Sequence, residues 1–194
     1  MIITISGTAG SGKSTVAKNI AKQLGATRIY VGGIRRELAR KKKMTIEQLN
    51  EYGKTHPETD VEVDLAAAAK ARKLEQQGKK VLVEGRTQFH FLPDSIKIFM
   101  KVDSHEAAGR IWKDLQAKKR KEEGTFKSMK EVERSLKKRD REDAKRYKKY
   151  YKIDHRDETQ YDLIVDTSHI TAQQAANEVL EFIRKQKNTH TNRS

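Results

Sequence analysis

The chain has no cysteine, so it holds neither a disulfide framework nor a thiolate metal site, a composition that fits a reducing cytoplasm. No stretch approaches the roughly 20 apolar residues of a membrane-spanning helix. The N-terminus runs straight into an apolar strand, with no basic region, long apolar run or small-residue cleavage site, so a soluble cytoplasmic protein is expected. No internal repeat is visible, which argues against a solenoid. Negative charge is also scarce: 27 Asp and Glu stand against 42 Lys and Arg, a formal net charge of +15. Residues 113–152 hold 17 basic and 8 acidic side chains, so this fifth of the chain carries nine of the fifteen excess charges. Such a segment attracts anions: nucleotide phosphates, a nucleic-acid backbone, or solvent counterions on a helical face. The 194 residues suffice for one domain with a proper core.

The chemistry begins near the start. Residues 2–6 are an apolar run with strand character, and Val16, Ile20, Ala21 and Leu24 recur at helical spacing. Between them lies Gly7-Thr8-Ala9-Gly10-Ser11-Gly12-Lys13-Ser14-Thr15, which meets the pattern G-x-x-x-x-G-K-[ST] in the strand, loop and helix context the motif requires. The glycines permit a backbone whose N–H groups converge on a polyphosphate. The helix N-terminus adds its positive dipole end, Lys13 reaches the outer phosphates, and the Ser14 hydroxyl is placed to ligate Mg²⁺. The alternative, a chance glycine turn with a capping serine, fits this context poorly.

Along the rest of the chain, residues 27–31 read as a second strand and Gly32-Gly33 as a break before a helix over 34–40. Arg35 and Arg36 are then candidates for a second anion site. Thr45 and Gln48 form a capping box, Pro57 opens a helix over about 58–77, and Gly78 stops it. These helices carry few large apolar residues, so a small mobile lobe outside the core is expected. Residues 80–86 form a strand that delivers Glu84 and Arg86 to its carboxyl end, where open α/β sheets bind ligands. Further strands are expected at 96–102 and 161–166, and helical pattern over 105–153 broken at 124–126. A capping box at Thr171 and Gln174 opens a last helix with Ala176, Val179, Leu180 and Ile183 on one face, and a polar tail follows Lys187.

Five strands alternating with helices predict the α/β class: a three-layer fold whose parallel sheet is covered on both faces. The expected organisation is one domain over 1–194, with a core of about 1–32, 79–112 and 153–187. A lobe over 33–78, a basic lid over 113–152 and a tail over 188–194 complete it. Lobe and lid would flank the phosphate cradle and close on it.

The sequence resembles the nucleoside monophosphate kinases, and most closely the short cytidylate kinase-like branch. The resemblance runs through nearly the whole chain. It rests on the loop at 7–15, Gly32-Gly33-Ile34-Arg35-Arg36, His56-Pro57-Glu58-Thr59-Asp60 with Asp64, and Glu84-Gly85-Arg86. It continues through Arg139-Asp140-Arg141-Glu142, Arg146-Tyr147, Tyr151-Lys152-Ile153-Asp154 and residues 161–168. The resemblance implies a P-loop NTPase fold and phosphoryl transfer from ATP to CMP or dCMP with Mg²⁺. It further implies that Arg36 and Arg86 hold the acceptor phosphate, with Asp60 and Asp64 in the acceptor lobe. Glu84 would stand near the water shell of the metal, Arg110 would pack on adenine, and Arg141 and Arg146 would be lid arginines acting in catalysis beside Lys13. Residues 166–168 would form the adenine-side loop.

The chemistry agrees with these roles: phosphoryl transfer asks for in-line positioning and positive charge, and no general base is needed when the acceptor is already a phosphate oxygen. Two departures stand out. Leu65-Ala66-Ala67-Ala68 follows where relatives are more polar, and the lid is rich in lysine. A kinase of another small acceptor or monophosphate, or an ATP-dependent RNA-associated factor using residues 113–152, are the competing readings. A monomer is expected.

Overall fold

Alternation along the strands sorts the sheet into two apolar faces, as the two-residue period of a strand requires. In a computed structural model, residues 1–117 and 125–191 are described. The strands are β1 (Ile2–Gly7), β2 (Thr27–Tyr30), β3 (Val81–Glu84), β4 (Ile96–Lys101) and β5 (Leu163–Asp166), all parallel, in the order β2-β3-β1-β4-β5. The helices are α1 (Lys13–Leu24), α2 (Val31–Lys41), α3 (Ile46–Tyr52), α4 (Glu58–Gln76), α5 (Gln88–Phe91), α6 (Ser104–Gln116), α7 (Met129–Tyr151) and α8 (Ala172–Thr191).

On one face, Ile3, Ile5, Leu82, Ile98, Met100 and Val165 pack against Val16 and Ile20 of α1 and Val179, Leu180 and Ile183 of α8. On the other face, Ile2, Val81 and Val83 meet α4, while Phe99 meets Tyr147 and Tyr151 of α7. Strands β1 and β3 are buried along their whole length, which explains their nearly unbroken apolar runs. Each fully buried branched side chain contributes about 1.5–3 kcal/mol to the core.

The strand ends are in register where the site forms. Glu84 lies beside Ile5 on one side and Tyr30 on the other, and Gly7 pairs with Met100. The chain leaves β1 between β3 and β4 and crosses to β2, so the loop at 7–12 opens at the switch point of the sheet.

Several expectations are corrected. Gly32-Gly33 does not break the chain but lies in the first turn of α2. A Cβ at either position would come within 3 Å of the Tyr30 ring, at 2.9 Å for Gly32 and 2.7 Å for Gly33, so the pair makes room for that ring. Helix α4 is not peripheral: Ala67, Ala68 and Ala71 are buried against the sheet, their small size allowing close approach. The second half of the basic segment also carries core, through the tyrosines of α7. Helix α8 continues to Thr191, past the expected start of the tail, and residues 192–194 lie outside the described residues. The expected break at 124–126 lies partly outside them too, at Gly124; Thr125 and Phe126 are not helical, and Ser128 caps α7 by accepting from the Glu131 N–H at 3.3 Å. Among the described residues no helix is long and apolar enough to cross a membrane.

Candidate active site

The floor of the site is the loop between β1 and α1. A Cβ at Gly7 would stand 2.1 Å from the Met100 carbonyl oxygen, so only glycine lets the loop leave β1 this close to β4. The Thr8 N–H then donates to that oxygen at 3.1 Å, and the Ser11 hydroxyl donates to Thr8 O at 2.9 Å, closing the loop on itself. Gly12 caps α1 in the left-handed region, with φ 75°. Lys13 folds back so that Nζ donates to Gly7 O at 3.3 Å across the mouth of the loop. Burial and the nearby Arg86 guanidinium, partly offset by Glu84, lower its ammonium to about 8. A cation disfavoured in this way gains from a bound anion.

Ser14 Oγ donates to Glu84 Oε1 at 2.5 Å. The second carboxylate oxygen, Oε2, is held by Arg28, whose Nε donates at 3.0 Å and whose Nη2 makes a shorter ion pair. Glu84 is thus paired with Arg28 and not with its neighbour Arg86. Arg28 also lies over the Tyr30 ring, 4.6 Å from its centroid.

Opposite the loop stands a wall of arginines. Arg36 donates from Nη1 to the Tyr30 hydroxyl and to Gly32 O at 3.2 Å. Arg86 pairs with Asp143, which also accepts from Arg146 Nη2 at 2.7 Å. Arg146 Nε lies 2.7 Å from Asp60 Oδ2, and Asp60 pairs in turn with Arg35, whose Nη2 donates to Asn50 Oδ1 at 2.9 Å. A continuous ladder of alternating charges therefore joins α2, α4, α7 and the end of β3. Burial alone would raise the Asp143 carboxyl, but Arg86, Arg146 and Arg139 outweigh it and hold it at about 2. Among the described residues the cleft wall carries six cations, Lys13, Arg35, Arg36, Arg86, Arg139 and Arg146, against four carboxylates, Asp60, Asp64, Glu84 and Asp143.

Asp64 is engaged on every side. It accepts from Thr87 Oγ1 and the Tyr151 hydroxyl, each at 2.8 Å, and from Gln88 Nε2 at 2.9 Å. Burial raises its carboxyl to about 6 despite these donors. Both lobe aspartates thus have protein donors or cations at their oxygens. They border the cleft and brace it.

On the outer side of the loop, Arg110 donates from Nη2 to Thr167 O at 2.6 Å and Ser168 O at 3.2 Å, and from Nη1 to Gly10 O at 3.4 Å. A shallow recess there is lined by Ser11, Gly12, Thr15, Arg110, Ile170 and Thr171, among others. The Asp166 carboxylate orders the turn behind it, accepting from Ser168 N and Oγ at 2.9 Å and 2.6 Å.

Of the residues singled out from sequence, the structure gathers those at 8–15 with Arg36, Asp60, Asp64, Glu84, Arg86 and Arg146 around one cleft, and sets Arg110 behind the loop. Arg141 is not among them. At about 100° per residue it lies about 200° around α7 from Arg139, and it is exposed. Arg139, Asp143 and Arg146 occupy positions i, i+4 and i+7 and share the cleft face. That spacing is visible in the sequence and would have found Arg139 and Asp143. Arg28, the partner of Glu84, carries no such signal, because its contact arises from β2 lying beside β3, and Tyr30 meets Arg36 six positions on because the glycine pair continues the helix beneath its ring.

A glycine cradle at the switch point of a parallel sheet, faced across one cleft by arginines on two flanking segments, defines a P-loop kinase. The chain belongs to the cytidylate kinase-like family, whose pattern matches residues 2–169. It is 34% identical over 170 residues to the cytidylate kinase of Thermococcus kodakarensis, covering 87% of this chain and 80% of that protein. To the cytidylate kinase of Archaeoglobus fulgidus it is 33% identical over 188 residues, covering 96% and 97%. A stretch of the S-adenosylmethionine-dependent nucleotide dehydratase of Lacinutrix mariniflava is 35% identical over 186 residues, covering 94% of this chain and 36% of that protein. Among solved structures, shikimate kinase from Acinetobacter baumannii shares the fold, with a TM-score of 0.56 at 18% identity over 96% of this chain and 94% of that one.

Proposed function

We propose that this protein transfers the γ-phosphoryl group of ATP to CMP or dCMP, giving ADP and the cytidine diphosphate. The observation that carries this reading is the facing of two anion-binding walls in one cleft. The loop with Lys13 suits a polyphosphate, and Arg36, Arg86, Arg139 and Arg146 suit a second phosphate across from it. The choice of cytidine rests on the family. In the reaction an oxygen of the acceptor phosphate bonds to the γ phosphorus while the bond from that phosphorus to the β–γ bridging oxygen breaks, and the electron pair leaves with ADP.

In this reading the loop amides and Lys13 hold the donor phosphates, and the recess beside Arg110 takes adenine. Arg36 and Arg86 hold the acceptor phosphate, and Arg139 and Arg146 face the three equatorial oxygens as charge spreads onto them. Asp143 keeps Arg86 and Arg146 in place until substrate phosphates compete for them. Asp60 and Asp64, on the acceptor side of the cleft, tie α4 to α2 and α7. With the acceptor nucleophile already ionised, the protein has no proton to remove. The α2–α4 segment and α7, walling the cleft, keep out water, the competing acceptor.

The residues also suit Mg²⁺. Ser14 and Glu84 present a hydroxyl and a carboxylate oxygen 2.5 Å apart at the cleft floor, and Mg²⁺ characteristically takes one or two protein oxygens and completes its shell with water and phosphate. Ser14 would ligate it, with Glu84 holding a water of its shell, and the ion would neutralise charge on the donor phosphates.

The test is steady-state ADP formation from MgATP with CMP, dCMP, UMP, AMP, GMP or no acceptor. Fast turnover with CMP and dCMP supports the assignment. Turnover that is faster with another monophosphate, or independent of any, contradicts it.

A further inference from the structure

The acids of α7 all have partners off its outer face. Asp143 is engaged by Arg86 and Arg146, and Asp140 lies near His155 and Arg156, each 3.7 Å away. Glu142 meets Lys54 at 3.4 Å, Glu133 meets Lys137 at 2.6 Å, and Glu131 receives the Lys127 N–H at 2.7 Å near the N-terminal cap. With Lys130 exposed in the first turn, Lys137 paired with Glu133 and Lys149 donating to Lys54 O at 3.1 Å, what remains outside is a file of cations, Arg134, Lys138, Arg141, Lys145 and Lys148, spaced four, three, four and three residues apart. All five are exposed. Spacing alternating between three and four keeps them within about 40° of one line along the helix, and 14 residues at about 1.5 Å each make the file about 21 Å long. The cleft-facing residues Arg139, Asp143 and Arg146 lie on the opposite side of the helix, so this file is separate from the site.

We propose that this outer face of α7 docks single-stranded RNA through its phosphate backbone. Five like charges in one file repel one another, so a line of phosphates is the partner that relieves them, and a single file meets one phosphate row. The face offers no aromatic side chain, so the docking tracks backbone and does not read bases. An anionic membrane is the poorer fit, because the apolar side of α7 is spent on the core and the exposed large apolar side chains, Ile34 and Leu65, lie on other helices. The preference for RNA rests on the proposed reading with CMP as the acceptor, since nuclease cleavage of RNA that leaves the phosphate on the 5′ oxygen releases ribonucleoside 5′-monophosphates. Docking there holds the enzyme where its acceptor is released.

The test is fluorescence anisotropy of the full chain with a labelled 20-nucleotide single-stranded RNA across 25–200 mM salt. Duplex DNA of equal length, anionic vesicles and poly-glutamate serve as parallel probes. The expected result is micromolar binding at low salt with a log–log slope of about −3.5, from about −0.7 per contacted phosphate. The quadruple variant Arg134→Gln, Lys138→Gln, Lys145→Gln, Lys148→Gln should bind at least tenfold more weakly, with a slope near −0.7, while its kinase turnover and circular dichroism match the parent. Undiminished binding by the variant, a flat salt dependence, or tighter binding of duplex DNA, vesicles or poly-glutamate than of RNA would overturn the proposal. The acceptor assay is run beside it, so a kinase that does not dock RNA and an RNA-docking protein that does not turn over CMP are told apart.

Discussion

Replacing Asp143 by asparagine removes the one anion shared by Arg86 and Arg146, and the cost can be worked from its titration. The carboxyl is held at about 2 against an ordinary 3.8, which corresponds to roughly 2 kcal/mol of stabilisation. Breaking a buried pair by removing one partner leaves an uncompensated charge and typically costs about 3–5 kcal/mol. The asparagine carbonyl retains one acceptor, which moderates this. A loss of about 2–4 kcal/mol at pH 7 is therefore expected, or about 4–16 °C in Tm at the 2–4 °C per kcal/mol of a domain this size. A carboxylate with a depressed folded-state pKa stabilises fully above its unfolded value and ceases to do so as pH falls through the folded one. The gap between parent and variant should thus hold from pH 7 to about 5 and close between about 4 and 2. Urea unfolding across that range measures it. Added sulfate should restore the variant more than the parent, by replacing the lost anion between the two arginines. A loss under 0.5 kcal/mol, or a gap that persists at pH 2, would refute the view that Asp143 holds these guanidinium groups.

Lys13→Met should abolish most turnover without lowering Tm, because burial and Arg86 already disfavour its charge in the free protein; a large drop in Tm would make Lys13 structural. Arg139→Ala should lower kcat by about 10²-fold or more, as loss of a preorganised transition-state contact does, while Arg141→Ala leaves it within about twofold. Equal losses in steady-state assays would show that α7 turns its other face to the substrates. Asp64, raised to about 6 by burial, destabilises the fold when ionised, so stability should rise as pH falls from 7 to 5. That rise should vanish in Asp64→Asn, measured by urea unfolding at each pH. Arg36→Ala should raise the KM for the acceptor much more than that for ATP, and equal increases would remove Arg36 from the acceptor side.

The loop at 7–15 was legible because its chemistry is local: glycines, lysine and serine act within one turn of chain, and the strand and helix beside it announce themselves by period. The strands were legible for the same reason. What the sequence hid depends on neighbours brought together by the sheet. Arg28 reaches Glu84 from the next strand, across 56 positions, whereas Tyr30 meets Arg36 only six positions on, over two glycines that look like a chain break. The pattern of α4 reads as periphery because alanines count for little in an apolar pattern, although Ala71 is fully buried. Arg141 was preferred to Arg139 through the family pattern, whereas the helical period alone places Arg139, Asp143 and Arg146 on one face.

In the proposed reaction the phosphoryl group passes between two bound phosphates with water kept out, and ³¹P NMR of the protein with MgATP and CMP observes that directly. The predicted spectrum loses the ATP γ resonance as those of ADP and CDP appear in equal amounts, with inorganic phosphate a minor product. Inorganic phosphate appearing in step with ADP, with or without CMP, would contradict it.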